Sequence, residues 1–463
     1  MAKFGGSLID PQGQGILKII NRICELRAKD GLGPLAIFSA PTGFTDKLIQ
    51  IGESYAQDAP VSTSLIFDTY RKLAKDYTCG LFLDEALSTI SDLEKRTQAD
   101  LNTVNKRFNG NIKARVITLA GELASSALMG CILNSRSIET TTIEADNWPI
   151  VTDDNFEDAT PVDELSSEKI GYLVNSIESG KVISMGGFLG VTSDGLETVL
   201  GRGGSDLTAV FLSCLLRNKY RTHTLLYKDV PIQSVDPKVA KGQRTDHIAA
   251  LTYNEAHKAS MMGMKIVQNP AIAMARRCLQ PLVVVPIDEP EKYSIIQGQI
   301  RNGEVVKCLT GKSGCAIVSM NDDKSRSLED MLRIWERRND FIDLGAETLE
   351  TGESIRDLLF LDSDFLKKNN ERLKGFDEKL RIEYGLGVVT LIGDRMKDSP
   401  GVASIAMSAI KGINIKRGIF APHTSQIIVV VEEKNVNEAM AAIHQRRDEM
   451  NCIHSQDSSP LET

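Results

Sequence analysis

The sequence GRGGSDLTAVFLSCLL at residues 201–216 decides the fold, because it joins a glycine-rich turn directly to an amphipathic helix. Apolar residues recur there with the i, i+3, i+4 spacing of one helical face: Leu207, Val210, Phe211, Cys214 and Leu215. A β-rich run at residues 182–185 precedes the turn, and another at residues 225–227 follows the helix. The pattern predicts a helix that packs on a sheet, with the glycine turn at its N-terminus.

The same alternation of strand and helix extends through the first 280 residues. Apolar runs at residues 35–39 and 282–285 read as further buried strands. Helical patterns lie between them, including a long helical stretch at residues 64–136 that is interrupted near residues 106–111. Apolar strands that alternate with helices predict an α/β fold, a three-layer sandwich with a mostly parallel sheet covered on both faces.

The pattern changes after Pro286. Residues 386–454 read as strand–helix–strand–strand–helix, which is a ferredoxin-like order. Here we expect Ser399 to cap a helix that begins at Pro400, and Ile427–Val431 to form an apolar strand that could pair between chains. Residues 305–385 show a diverged version of the same order, with a helix at Ser327–Asn339. The predicted domains are therefore 1–286, 305–385 and 386–454, followed by a polar tail at 455–463.

Composition excludes several classes of protein. Lys and Arg number 54 against 62 Asp and Glu, so the net charge is −8 and gives no sign of nucleic-acid binding or of an anionic membrane partner. The eight cysteines include no CxxC pair, so neither a zinc site nor a redox dithiol is indicated, and we expect no metal held by the protein alone. We also expect no leader, no apolar stretch long enough to cross a membrane, and a cytoplasmic location.

Three turns carry residues suited to anionic ligands. Lys3 precedes two glycines in KFGGS (residues 3–7), where backbone N–H groups and an ammonium can approach a phosphate. Arg202 and Asp206 flank the glycines of GRGGSD, where the arginine can grip a carboxylate and the aspartate can meet an ammonium. Ser39 and Thr45 lie in a turn between a strand and a helix, at the carboxyl end of the sheet.

Together these sites resemble the aspartate kinases of the amino acid kinase superfamily, which carry C-terminal ACT domains. The resemblance rests on several motifs in order along the chain: KFGG at residues 3–6, LAGE at 119–122, GFLG at 187–190, GRGGSD at 201–206, DVP at 229–231 and VDPK at 235–238. Residues 387–447 resemble the second ACT domain. The chain departs from the family at Lys228, where serine or threonine is usual.

The resemblance implies phosphoryl transfer from ATP to the β-carboxylate of L-aspartate, with Mg²⁺ held mainly by the phosphates, as the first step of lysine, threonine and methionine biosynthesis. A carboxylate is already ionised at neutral pH, so this reaction needs no general base. By the resemblance, Lys3 and Asp206 are catalytic, and five residues bind substrate: Ser39, Thr45, Glu122, Arg202 and Ser205. Six residues bind the nucleotide: Lys3, Gly5, Gly6, Asp229, Lys238 and Lys265.

The resemblance also implies feedback regulation. ACT pairs in this family bind lysine or threonine, and the turn from Asp394 to Gly401 offers free helix N–H groups for a carboxylate, with Asp394 and Asp398 for a cation. We expect a homodimer formed through the ACT units. Two alternatives stay open: another kinase of the superfamily, such as glutamate kinase or uridylate kinase, and a catalytically weakened amino-acid sensor.

Overall fold

The structure is a computed structural model that describes residues 1–240, 242–300, 303–334, 341–421 and 425–452. The chain forms two compact units. The first contains Met1–Pro231 and Val267–Gly298, and the second contains Ile232–Ile266 and Gln299–Thr463. The segment Ile232–Ile266 thus groups with the C-terminal unit, although the predicted domain boundary lies at residue 286.

Helices and strands occur along the whole described chain. The helices are α1 Ile16–Asp30, α2 Phe44–Ala56, α3 Ser64–Tyr77, α4 Leu81–Asn102, α5 Gly110–Thr118, α6 Ala124–Asn134, α7 Asp163–Lys169, α8 Gly171–Glu178, α9 Gly204–Leu216, α10 Pro237–Ala240, α11 Tyr253–Met261, α12 Asn269–Cys278, α13 Asp322–Ile334, α14 Ser363–Lys374, α15 Val402–Ala409, α16 Val436–Gln445 and α17 Arg447–Cys452. The strands are β1 Ala2–Phe4, β2 Leu35–Phe38, β3 Thr140–Thr142, β4 Val182–Gly186, β5 Leu189–Val191, β6 Glu197–Val199, β7 Thr224–Lys228, β8 Ala250–Thr252, β9 Leu282–Pro286, β10 Ser294–Gln297, β11 Cys308–Asn321, β12 Phe341–Thr348, β13 Ser354–Phe360, β14 Arg381–Ile392, β15 Ile415–Ala421 and β16 Gln426–Glu432.

The first unit is built on a mostly parallel sheet. Its strands lie in the order β3–β4–β2–β1–β7–β9–β10. All neighbours pair in parallel except β9 and β10. The strands β2, β4, β7 and β9 were all predicted from their apolar runs. Because the parallel strands end at the same edge, the turns that follow β1, β2, β4 and β7 lie close together there.

One buried segment corrects an expectation from the sequence. Residues Gly110–Asn134, which comprise α5, a π-helical turn at Leu119–Leu123 and α6, are long and apolar enough to cross a membrane. No such stretch was expected. In the structure 94% of its most apolar window is buried inside the unit. Its apolar character is therefore that of a core helix, which has protein on every side.

In the described part of the second unit, six strands form an antiparallel sheet with the order β12–β13–β11–β14–β16–β15. Two strand–helix–strand–strand–helix motifs contribute three strands each, as their sequence order predicts. The central strands β11 and β14 pair with each other, so the two motifs share one sheet. Ile427–Val431 lies in β16, between β14 and β15, and its buried position corrects the prediction that it could pair between chains.

Two predicted helix limits are also corrected. The helix expected at Pro400 begins at Val402, after Gly401, whose φ of 87° is in the left-handed region. The Ser399 hydroxyl donates to the Arg395 carbonyl and caps no helix. The helix expected at Ser327–Asn339 is observed as Asp322–Ile334, and residues 335–340 lie outside the described part of the chain.

Candidate active site

The carboxyl ends of β1 and β7 form the centre of the candidate site. Lys3 lies in β1 opposite Leu226 of β7, and only 8% of its surface is exposed. The turn after β1 stays against β7, because the Gly5 N–H donates to the Tyr227 carbonyl at 3.3 Å. Paired residues of parallel strands face the same side of a sheet. Lys3 and Lys228, which lies two residues after Leu226, therefore project from the same face.

Asp206 joins both lysines from the first turn of α9. Its carboxylate lies 2.8 Å from Lys3 Nζ through Oδ1 and 3.7 Å from Lys228 Nζ through Oδ2. Burial alone would raise the pKa of Asp206, but Lys228, Lys3 and the backbone N–H of Gln268 outweigh it and lower the pKa to about 2. Asp206 is therefore an anion at neutral pH, and it lies beside two ammonium groups. The expectation that it also meets the substrate ammonium stays a prediction.

The glycines of GRGGSD allow close packing at the start of α9. Gly203 has a φ of 79°, and a Cβ at this position would lie 2.0 Å from the Gln268 side chain. Ser205 is buried, and a Cβ on Gly187 would lie 2.5 Å from the Ser205 Cβ. Neither Gly187 nor Gly203 leaves room for a side chain. The two glycines therefore allow the turn after β4 to pack closely against the N-terminus of α9.

Glu122 lies in the π-helical turn, a widened helical turn that is often found at functional sites. Its Oε1 accepts a hydrogen bond from the Ala40 N–H at 3.3 Å, while Oε2 is buried with no hydrogen-bond partner in the described chain. Burial raises the pKa of Glu122 to about 7, against the lowering effects of the Ala40 N–H and the charge on Lys3. A buried carboxylate with one free oxygen is suited to bind a cation.

The turn after β2 brings Ser39 and Thr45 to the same edge of the sheet. Ser39 donates its backbone N–H to the Phe4 carbonyl of β1 at 3.3 Å. A Cβ on Gly6 would lie 2.2 Å from the Ala40 carbonyl oxygen, so only glycine allows the two turns to approach this closely. Thr45 is half-buried in the first turn of α2, which begins after Gly43.

Arg202 and Asp229 lie at the exposed side of these turns. Arg202 is exposed and has no ion pair within the described residues, so its guanidinium is available to a ligand. Asp229 directly follows β7, and its carboxylate accepts a hydrogen bond from the Ser7 hydroxyl at 3.0 Å. The first unit thus contains ten of the predicted site residues: Lys3, Gly5, Gly6, Ser39, Thr45, Glu122, Arg202, Ser205, Asp206 and Asp229. Asp206 lies at their centre.

The two remaining nucleotide residues belong to the second unit. Lys238 is exposed in α10, where its backbone N–H donates to Asp236 Oδ1 at 2.9 Å. Lys265 is exposed in the segment after α11. The structure describes both lysines within the second unit only.

The predicted effector turn has a small cavity beside it. Met396, Ser399, Gly401, Val402 and Gln426 line a space of about 150 Å³, a volume that admits a benzene-sized molecule. The Gln426 Oε1 is buried without a hydrogen-bond partner among the described residues. Asp394 is already engaged, because it accepts hydrogen bonds from Thr252 Oγ1 at 2.6 Å and Asn254 Nδ2 at 3.4 Å. Asp398 is exposed.

Metal ligands were not predicted, and the described residues contain no group of three or more His, Cys, Asp or Glu side chains placed to hold an ion. Sequence reasoning missed three features of the site: the Ala40 N–H, the widened turn at Glu122, and the approach of Lys228 to Asp206. The approach of Lys228 to the site could have been predicted from the strand register, since Lys228 ends β7, the strand beside β1. The other two depend on contacts between distant segments.

Comparisons with known proteins agree with this geometry. A family model described as the amino acid kinase family matches residues 2–286, and a model described as an ACT domain matches residues 389–446. The aspartokinase of Helicobacter pylori strain 26695 is 24% identical over 411 residues, which cover 85% of this chain and 98% of that protein. The aspartokinase of Bacillus sp. strain MGA3 is 25% identical over 343 residues, covering 71% and 80%.

Solved structures show the same fold. Aspartokinase III of E. coli, in complex with aspartate and ADP, superposes with a TM-score of 0.74 at 20% identity, covering 96% of this chain and 98% of that one. Aspartate kinase of Clostridium acetobutylicum superposes with a TM-score of 0.73 at 18% identity, covering 96% and 99%. At this level of identity the superpositions establish the architecture of the chain.

Proposed function

The chain belongs to the amino acid kinase family, and we propose that it transfers a phosphoryl group from MgATP to the β-carboxylate of L-aspartate, giving 4-phospho-L-aspartate. It is then a phosphotransferase with a carboxyl group as acceptor. The observation that carries this proposal is the buried Glu122 carboxylate, with one unpartnered oxygen beside a cationic glycine-rich site. Relatives named aspartokinase that cover most of the chain support the same substrate.

The chemistry requires two anions to come together. The aspartate carboxylate is ionised at neutral pH, so no residue needs to remove a proton from it. Positive charge must instead offset the negative charge on the transferring phosphoryl group. Lys3 is placed to do this, and Mg²⁺ arrives with the phosphates of ATP. Asp206 keeps Lys3 in position through the 2.8 Å ion pair.

Substrate recognition is assigned to the polar groups around this centre. Glu122 binds the α-ammonium of aspartate through its free oxygen, and Arg202 binds the α-carboxylate through its planar guanidinium. Ser39, Thr45 and Ser205 contribute hydrogen bonds. Gly5, Gly6 and Asp229 are assigned to the nucleotide, and the family motifs assign Lys238 and Lys265 to it as well.

The decisive experiment measures ADP release by the full chain with L-aspartate, L-glutamate or UMP as the acceptor. Release with L-aspartate alone supports the proposal. Release with glutamate or UMP would identify another kinase of the family. No release with any acceptor, while the protein still binds amino acids in calorimetry, would identify a sensor.

Regulation by an end-product amino acid is assigned to the second unit. The cavity beside Gly401 and the uncapped start of α15 offer N–H groups for a carboxylate, and Gln426 offers an unpartnered amide oxygen for an ammonium. Lysine is favoured over threonine because Asp398 lies exposed in the same turn. Inhibition by L-lysine that Asp398→Ala relieves would support this assignment, with a coupling of about 1–3 kcal/mol between the two sites. No binding of lysine or threonine at millimolar concentration would refute it.

A homodimer through the second unit and a cytoplasmic location complete the proposal. The edge strand β15 exposes Phe420 by 49% and Ile415 by 37%, and an exposed strand at a sheet edge can pair with a second copy. Sedimentation of the full chain and of a Phe420→Lys variant tests this; a dimer unaffected by the substitution would argue against β15. In the cell, the enzyme would serve lysine, threonine and diaminopimelate biosynthesis.

A further inference from the structure

Lys228 is a partly buried cation that shares its carboxylate partner with another lysine. It ends β7, its side chain is 27% exposed, and its closest carboxylate is Asp206 Oδ2 at 3.7 Å. That carboxylate already binds Lys3 at the shorter distance of 2.8 Å and accepts the Gln268 N–H. The single carboxylate of Asp206 is thus shared between Lys3 and Lys228, and both charges lower its pKa.

The local charge is consequently unbalanced. Two ammonium groups share the carboxylate of Asp206, so these three groups together carry one net positive charge. Asp229, the next residue along the chain, is exposed and accepts a hydrogen bond from Ser7. Burial and then Lys3 lower the pKa of Lys228, while Asp206 and Asp229 raise it, and the net direction is downward. Such a site becomes more favourable when a further anion enters it.

The position of Lys228 indicates which anion this is. Lys228 directly follows Tyr227, whose carbonyl accepts the Gly5 N–H of the glycine turn after β1. It lies on the same sheet face as Lys3, and its side chain is more exposed than those of Lys3 and Asp206, at 27% against 10% and 4%. An ammonium there can reach a ligand that lies over the glycine turn without losing Asp206.

We propose that Lys228 is a second cation of the phosphoryl-transfer site, and that its ammonium contacts the phosphate chain of the nucleotide alongside Lys3. Asp206 then acts as a shared anchor that spaces the two lysines. This inference rests on the proposed function, but it concerns phosphate binding and can be tested without the aspartate reaction.

The first test compares MgATP binding to the full chain by calorimetry. Lys228→Met removes the charge at similar length and should weaken MgATP binding about 10- to 100-fold, in line with the loss of one charge-assisted contact. Lys228→Arg keeps a charge and should weaken binding less than Lys228→Met. Lys219→Met is the matched control, because Lys219 is exposed and pairs with Glu178 away from the site; its MgATP affinity should be unchanged.

A second test separates phosphate contact from a structural role. Lys228→Met should weaken binding of inorganic tripolyphosphate and leave adenosine binding unchanged. An equal loss of adenosine and tripolyphosphate binding would indicate a structural role for Lys228, and the proposal would be overturned.

Unchanged MgATP affinity in a folded Lys228→Met protein, with a melting temperature like that of the wild type, would also overturn it. A wild-type chain that binds MgATP but does not phosphorylate aspartate would instead refute the proposed function, and the binding comparison would still decide the role of Lys228.

Discussion

The Ala40 N–H donates a hydrogen bond to Glu122 Oε1 at 3.3 Å, and the other carboxylate oxygen of Glu122 is left buried without a partner in the described chain. The turn after β2 thereby fixes the orientation of a side chain from a distant helix. A half-satisfied buried carboxylate is costly for a protein to keep. Its retention is explained if the substrate ammonium completes the site.

The first prediction concerns aspartate binding and pH. Glu122 has a pKa of about 7, so below pH 7 the free protein holds it mainly in the neutral form, which attracts an ammonium weakly. The aspartate KM should therefore rise as pH falls from 8 to 6. Glu122→Gln should raise this KM at least tenfold at pH 8 and remove its pH dependence. Glu168→Gln, an exposed change in α7, is the control; equal KM values for Glu122→Gln and wild type would contradict the assignment.

The second prediction concerns stability. The pKa of Glu122 is about 7 in the folded protein, above its value of about 4.3 in an unfolded chain, so the folded state binds the proton more tightly. The contribution of Glu122 to stability is therefore greatest below pH 4 and falls as pH rises to 7. At pH 8, Glu122→Gln should increase the free energy of unfolding by about 1–3 kcal/mol, measured in urea. A loss of stability at pH 8 would show that the charge is compensated inside the fold.

The third prediction concerns Arg202. Because Arg202 is exposed and has no ion pair among the described residues, its guanidinium should be used by the substrate and not by the fold. Arg202→Lys removes the planar fork and should raise the aspartate KM at least tenfold with little change in the ATP KM or in the melting temperature. Arg96→Lys, an exposed position in α4, is the matched control. Equal effects on both KM values would assign Arg202 to the nucleotide.

The fourth prediction concerns Lys3. Its charge is needed most when negative charge develops on the transferring group, so Lys3→Met should lower kcat by about 100-fold or more with a smaller effect on the aspartate KM. Asp206 would keep Lys228 as a cationic neighbour, so the fold should survive. Near-normal kcat in steady-state assays of this variant would exclude Lys3 from the mechanism.

The fifth prediction concerns Gly187. An added Cβ would lie 2.5 Å from the Ser205 Cβ, so Gly187→Ala should push the turn after β4 away from α9. We expect a loss of about 1–3 kcal/mol in stability, with a larger aspartate KM. Gly171→Ala is the matched control, since its Cβ would meet no atom within 4 Å. Thermal melts of both variants distinguish a clash from a general effect of replacing glycine.

The elements of the first unit could be predicted because their signals are local. The helical spacing of Leu207, Val210 and Phe211 marks α9, and the apolar run at residues 282–285 marks β9. The helix start at Ser399-Pro400 was wrong because a positive-φ Gly401 moved it to Val402. The sequence is compatible with a helix that begins at Pro400 or at Val402. The left-handed conformation of Gly401 selects Val402.

The sequence by itself determined the two fold types, the family motifs and ten candidate site residues of the first unit, because side-chain periodicity and glycine turns are properties of neighbouring residues. Only the tertiary structure decided that Asp206 pairs with two lysines, that Glu122 keeps a free oxygen, and that Ile427–Val431 is an inner strand. Those outcomes depend on distances between segments far apart in the chain. Burial then sets the charge states, because a carboxylate beside two ammonium groups remains ionised and one surrounded by apolar atoms holds its proton to higher pH.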